Sequence, residues 1–245
     1  MTQGYWDIHN HILPGVDDGS SCMDETQMML AAEYKQGIRN IIFTPHYRPG
    51  MFEISADERE LVYRRVTECA GHLYPDLRMY LGCEFFAHKN MVPVLRDSRC
   101  RMAGTEVILL EFSTITPFCD MFQTVSMVSE AGYRIILAHP ERYYCLQKSD
   151  FRVRRLRIAG AQIQLNAGGI MGREGRKQKH FCHSLLKENL ADFIASDAHD
   201  IKNRPVEMER CMKLLQKRYG SKTVQLLFEK NQRCLFGNMS GTERD

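Results

Sequence analysis

Seven short apolar runs alternate with helix-like stretches along nearly the whole chain, and this alternation restricts the fold more than any other feature. The runs are Tyr5 to His9, Asn40 to Pro45, Leu77 to Phe86, Val107 to Phe112, Arg134 to His139, Ala161 to Asn166 and Asp192 to Ser196. Several are apolar without interruption, as strands covered on both faces must be. The helical stretches are Asp24 to Gln36, Ala56 to Leu73, Asp120 to Ala131, Asp150 to Ala159, Arg176 to Glu188, Pro205 to Tyr219 and Lys222 to Lys230. Gly37, Gly132, Gly160 and Gly220 each follow a helical stretch, where a left-handed terminal residue favours glycine. Pro205 suits a first helical turn, because its missing N–H would have no partner there. No block of strands alone or helices alone breaks the series. The expected architecture is therefore α/β with a parallel sheet; an open sheet shares the pattern, and we read it as closed into a barrel.

A chain of 245 residues suits a single barrel domain. We expect residues 1–236 to form it, with the small polar stretch 237–245 as a loose tail. No apolar run reaches the roughly 18 residues that span a bilayer. Met1 to Trp6 lacks a basic region followed by an apolar one, so a cytoplasmic location without membrane insertion is expected. The nine cysteines are scattered singly, which fits reduced thiols packed as small hydrophobes. None has Arg six positions later, so a cysteine-based phosphate loop is absent. The net charge of +3 is too small to suggest nucleic acid as a partner. Two basic runs, Arg152, Arg154, Arg155 and Arg157, then Arg173, Arg176, Lys177 and Lys179, read either as solvated faces or as steering for an anionic substrate.

Metal-type side chains fall repeatedly at the ends of the apolar runs. His9 and His11 stand in Asp7-Ile8-His9-Asn10-His11, and Asp18 follows in Val16-Asp17-Asp18-Gly19. His46 follows Thr44-Pro45, Glu84 lies late in the third run, and Glu111 ends Val107-Ile108-Leu109-Leu110-Glu111. His139 ends the fifth run, and Asp197 and His199 follow the last in Ala195-Ser196-Asp197-Ala198-His199. A βα barrel gathers the C-terminal ends of its strands at one mouth, so residues distant in sequence would meet there. Burying so many ionisable groups is costly unless they are paired or bind metal. One His after a strand is more often structural, but six such endings together point to a cluster of two or three divalent ions. Imidazole and carboxylate donors without thiolate suit manganese, iron or zinc. His72, His88, His180 and His183 lie outside the pattern and are read as packing or surface residues.

Arg142, in His139-Pro140-Glu141-Arg142, and Arg204, in Lys202-Asn203-Arg204-Pro205, add guanidinium forks that match phosphate oxygens. The order of motifs from Asp7 to past Arg204 resembles the polymerase and histidinol phosphatase superfamily. Val16-Asp17-Asp18-Gly19, Gly50-Met51-Phe52-Glu53 and Ala138-His139-Pro140-Glu141-Arg142 bring it nearest to the manganese-dependent tyrosine-protein phosphatases of bacterial capsule and exopolysaccharide loci. The resemblance implies a distorted seven-stranded βα barrel with a trinuclear centre. One ion would be held by His9, His11, Glu84 and Asp197; a second by Glu84, Glu111 and His139; a third by Asp18, His46 and His199. Arg142 and Arg204 would bind phosphate. The implied reaction is hydrolysis of phosphotyrosine on a membrane-associated bacterial tyrosine kinase, by in-line attack of a metal-activated hydroxide. A phenolate with a parent pKa of about 10 needs little protonation on leaving, and His199 or a water would supply it. The many cysteines and the extra residues before Asp7 depart from the pattern.

Three other functions fit parts of the same pattern. A small-molecule phosphomonoesterase such as a histidinol-phosphate phosphatase would share the ligands and differ in its loops. A nuclease-like role lacks attached polymerase segments. A non-catalytic metal-binding or kinase-docking protein would have no need of both arginines.

Overall fold

The computed structural model describes residues 4–147 and 149–237. Among these, nine strands run parallel to their neighbours: β1 Tyr5–Asp7, β2 Ile38–Phe43, β3 His46–Tyr47, β4 Arg78–Leu81, β5 Glu84–Phe86, β6 Val107–Glu111, β7 Arg134–Leu137, β8 Ala161–Asn166 and β9 Phe193–Ala195. They form two sheets, of order β1-β2-β4 and β3-β5-β6-β7-β8-β9, rather than the single seven-stranded set expected. The difference arises at the second and third apolar runs: a further strand, β3, follows the end of the second, and the third is broken into β4 and β5. Pro45 has no N–H to continue a ladder. Gly82 lies against its neighbours so closely that a Cβ there would meet Ile42 Cγ2 at 3.0 Å. Hydrogen bonds bridge the break, from Gly82 N to Phe43 O (2.7 Å) and from Glu84 N to Pro45 O (3.1 Å). The segments after β1 and β9 are also joined, by Asp197 N to His9 O (2.7 Å) and His11 N to Ala198 O (2.8 Å).

Among the described residues ten α-helices connect and flank the strands: α1 Met23–Lys35, α2 Ala56–Leu73, α3 Met91–Val94, α4 Phe118–Glu130, α5 Asp150–Ile158, α6 Ala167–Met171, α7 Arg176–Lys187, α8 Met208–Tyr219, α9 Ser221–Gln225 and α10 Asn231–Phe236. The start of α2 is fixed by a capping box, in which Ser55 and Glu58 satisfy each other's backbone N–H groups. Gly160 ends the α5 region at φ 110°, a conformation costly for any residue with a Cβ. Pro205 does not open α8 as expected. The helix begins at Met208, because His199 N donates to Arg204 O (2.9 Å) and holds the preceding segment in a loop. The last helical stretch continues past Lys230 through a π-helical segment, Leu226–Lys230, into α10.

Alternate residues of the strands face two apolar clusters, as the period of a strand requires. Ile108 and Leu110 belong to the large layer between strands and helices, whereas Val107 and Leu109 join an inner group with Trp6, Ile8, Ile136 and Phe193. Trp6 stacks on both Tyr80 and Phe236, with ring centroids 6.0 Å apart in each case. Phe236, in α10, thus packs into the inner group. Residues 238–245, most of the expected tail, lie outside the described residues. All nine cysteines are free thiols. Among the described residues no helix is long and apolar enough to cross a membrane.

Candidate metal centre

The parallel strands deliver their C-terminal ends to one place, and the nine ligand-type residues singled out in the sequence meet there. His9 and His11 follow β1, His46 opens β3, Glu84 opens β5 and Glu111 ends β6. His139 follows β7, Asp197 and His199 follow β9, and Asp18 enters from the loop before α1. Four overlapping groups have ligand atoms within 4.8 Å of one another: His11, Asp18, His46 and His199; His9, His11 and Glu84; His9, His139 and Asp197; and His46, Glu84 and Glu111. These are the same nine residues that the resemblance divides among three ions, partitioned differently. Glu84 stands at the middle, with Oε1 2.8 Å from His139 Nε2 and 3.2 Å from His9 Nε2, and Oε2 3.0 Å from His46 Nδ1 and 3.3 Å from His11 Nε2.

Two of the four non-glycine residues with positive φ among the described residues lie at this site. His139 (φ 33°) and Asp197 (φ 51°) adopt left-handed conformations that residues with a Cβ rarely take. Such conformations persist where surrounding bonds over-determine them, commonly at functional sites.

The electrostatics separate the members. Burial alone would raise Glu84, but His9 and His46 beside it hold its carboxyl well below the ordinary range. Burial and the Glu84 charge push Glu111 up to about 7. Burial, followed by the nearby His11, pushes His199 down to about 2, so its imidazole is neutral. That state suits a ligand better than a proton donor. Burial and Arg142 likewise lower His139.

Four buried polar atoms at this site have no hydrogen-bond partner among the described residues: Glu111 Oε2, His139 Nδ1, Asp197 Oδ1 and His199 Nε2. Buried polar atoms left unpaired are costly, and imidazole nitrogens with carboxylate oxygens are the donors that divalent transition ions take. The residues present therefore fit a bound metal cluster.

Residues behind the ligands orient them, as the outer partners of metal sites commonly do. Asp17 Oδ2 lies 2.7 Å from His11 Nδ1 and accepts His46 N at 3.0 Å. Gln164 Oε1 is 2.9 Å from His9 Nδ1, and Gln164 Nε2 donates to Asn166 Oδ1 at 2.8 Å. Asn166 Nδ2 donates in turn to Asp197 Oδ2 at 2.7 Å. Asp7 accepts Ser196 N (2.9 Å) and Ser196 Oγ (2.6 Å), tying the His9 segment to the Asp197 segment. The Phe52 ring stacks on His46 at 5.2 Å. Sequence reasoning did not single out Gln164, Asn166 or Glu174; for the first two the available signal was amides at alternate positions of an otherwise apolar strand.

Both arginines reach the same carboxylate. Arg142 Nη2 lies 2.8 Å and Arg204 Nη2 2.7 Å from Asp197 Oδ2, and Arg142 is also paired with Glu174 at 2.7 Å. With Asn166, Arg173 and Asn203 they line a cavity of about 160 Å³ beside the cluster. The arrangement places cationic forks next to an acidic and imidazole-rich centre, which is what recognition and hydrolysis of a phosphate ester require.

Comparison with known proteins agrees with this chemistry. The chain is 32% identical over 240 residues to the tyrosine-protein phosphatase CpsB of Streptococcus pneumoniae, covering 93% of this chain and 96% of that one. It is 31% identical over 245 residues to the tyrosine-protein phosphatase YwqE of Bacillus subtilis (96% and 92% covered). A crystal structure from work on YwqE and CpsB, there called metal-dependent tyrosine phosphatases, superposes with a TM-score of 0.86 at 28% identity over 94% of both chains. The phosphotriesterase homology protein of Escherichia coli shares the fold alone, with a TM-score of 0.60 at 11% identity over 95% of this chain and 98% of that one. The family model for capsular polysaccharide synthesis proteins of the CpsB/CapC type matches residues 5–237, and the chain belongs to that family.

Proposed function

We propose that this chain is a metal-dependent protein-tyrosine phosphatase of capsule or exopolysaccharide synthesis. The observation that carries the reading is the convergence of nine ligand-type side chains beside Arg142 and Arg204, both bonded to Asp197. Its substrate is a tyrosine-phosphorylated protein, in our reading a bacterial tyrosine kinase at the membrane, met on the cytoplasmic side. We read the two hydrogen-bonded sheets as one distorted barrel of seven strand positions, and residues 1–236 as a single domain.

His9, His11, Glu84 and Asp197 would hold one divalent ion, Glu84, Glu111 and His139 a second, and Asp18, His46 and His199 a third, with manganese the proposed metal. When bound, such ions supply Lewis acidity toward a water and toward phosphate oxygens. The chain's own residues do the rest. Arg142 and Arg204 take the phosphoryl oxygens and neutralise charge as the ester bond breaks. Asp17 and Gln164 keep the imidazoles of His11 and His9 turned inward. Neutral His199 acts as a ligand, and the phenolate leaves without needing its proton.

The test strips the protein of metal, reloads it with manganese, iron, zinc or magnesium, and offers a phosphotyrosine peptide, histidinol phosphate and a nucleotide. Manganese-restored hydrolysis of the phosphotyrosine peptide is expected. Preference for histidinol phosphate would overturn the substrate assignment, and equal hydrolysis without metal would overturn the mechanism.

A further inference from the structure

The second basic run is divided by the fold. Arg173 is paired with Glu207, and Lys179 Nζ lies 3.4 Å from Met171 O. The exposed side chains of Arg176 and Lys177 have no hydrogen bond or ion pair among the described residues, and neither has His180 one turn further along α7. These three line a cavity of about 520 Å³ together with Gln147, Asp150 and the buried Phe181. The carboxylate of Asp150 is already engaged, accepting Ser184 Oγ at 2.8 Å. The cavity therefore presents unpaired cationic groups over an apolar wall.

Its position links it to the candidate active site. Glu174, two residues before Arg176, holds Arg142 at 2.7 Å. On the other side, Gln147 Nε2 donates to Glu141 O at 3.0 Å, next to Arg142 in the chain. Two residues of extended chain span only about 7 Å. A peptide whose phosphotyrosine lies at Arg142 would carry a neighbouring residue over this cavity within a few positions.

We propose that this cavity is a docking site for an acidic side chain of the same polypeptide substrate, a few residues from the phosphotyrosine that is cleaved. The proposal rests on the tyrosine-phosphatase reading. It differs from long-range steering, which responds to the total charge of a substrate and not to where the charge lies. A walled cavity with Arg176 and Lys177 at its rim selects by position.

The experiment compares two phosphotyrosine peptides of equal length and net charge in the manganese-loaded protein. One carries glutamates within four residues of the phosphotyrosine, on either side, and the other carries them about ten residues away. Wild-type kcat/KM should favour the first by roughly fivefold, mainly through KM, as expected for a pair of partly exposed charge contacts. The double variant Arg176→Ala/Lys177→Ala should lose that preference while its turnover of p-nitrophenyl phosphate stays unchanged. A wild type that cleaves both peptides equally, or a double variant that keeps the preference, overturns the docking site alone. A wild type that cleaves p-nitrophenyl phosphate or histidinol phosphate but neither peptide overturns the protein-phosphatase reading and the docking site with it.

Discussion

Asp197 and Arg142 are joined so that one carboxylate serves two neighbourhoods: Oδ2 lies 2.8 Å from Arg142 Nη2, while Oδ1 faces His9 and His11 at 3.5 Å. The guanidinium is thereby held at the edge of the ligand cluster. Arg142→Ala should leave bound metal unchanged and lower kcat on an aryl phosphate by about 100-fold, the scale of losing a transition-state donor. Arg142→Lys should recover little, because an ammonium cannot reproduce the planar fork. Turnover measured alongside metal content decides the matter, and unaltered turnover in the alanine variant removes Arg142 from the mechanism.

Asp17 aims His11, and its removal should show first in metal affinity. Burial would raise its carboxyl, but the adjacent His11 and backbone N–H groups prevail and set it at about 2. Asp17→Asn should weaken metal binding by roughly 10- to 100-fold, read by calorimetric titration of the metal-free protein. The lowered value also fixes a pH window. Ionised Asp17 stabilises the fold above its ordinary value of 3.8, and this contribution is lost as pH falls toward about 2. The variant should therefore show a shallower loss of stability with acid; an unchanged acid limb counts against the His11 pairing.

The cluster of ligand-type residues was legible in the sequence because its chemistry is conspicuous: imidazoles and carboxylates at the ends of apolar runs have few cheap structural uses. His9, Glu84 and Asp197 meet because parallel strands bring their ends together, a rule that needs only the order of elements. The supporting residues were harder to read. Gln164 and Asn166 carry no metal signature, and only their alternation on buried β8 places both on one face. The break at Gly82 depends on contacts with Ile42 and Phe43 across the sheet, which no local pattern encodes. The start of α8 was misplaced for a similar reason, since the bond from His199 to Arg204 comes from tertiary context.

Glu33 should limit stability as pH rises. It is fully buried in α1, and burial, followed by the charge of Asp7 and a side-chain hydrogen bond to it, raises its carboxyl well above the ordinary 4.5. The folded state therefore holds a proton that the unfolded chain releases. Stability is full below the unfolded value and declines as pH climbs from about 4.5 toward the raised one. Glu33→Gln removes the ionisation while keeping the shape. Its melting temperature should exceed that of the wild type by a margin that widens between pH 5 and pH 8, and a constant margin would contradict the buried neutral carboxyl.

Gly19 should be irreplaceable for a steric reason that reaches the ligands directly. A Cβ at this position would lie 2.1 Å from His11 O and 2.5 Å from His11 Cβ, where no side chain can fit. Ser20 N donates to His11 O at 3.0 Å, so the loop cannot simply swing away without breaking that bond. His11 lies with its ring 3.9 Å from that of His199 and 4.4 Å from that of His46, and pushing it aside disturbs both. Gly19→Ala should cost about 1–3 kcal/mol of stability, the range for forcing an added methyl into packed structure, and should weaken metal binding as well. Gly71→Ala is the control. It sits within α2 with nothing inside 4 Å of the added Cβ, and should stabilise by roughly 0.5–1 kcal/mol. Thermal unfolding and metal titration of the two variants separate the explanations: a loss at Gly19 alone reflects contact with His11, whereas equal losses at both sites would show that glycine matters here only for the backbone.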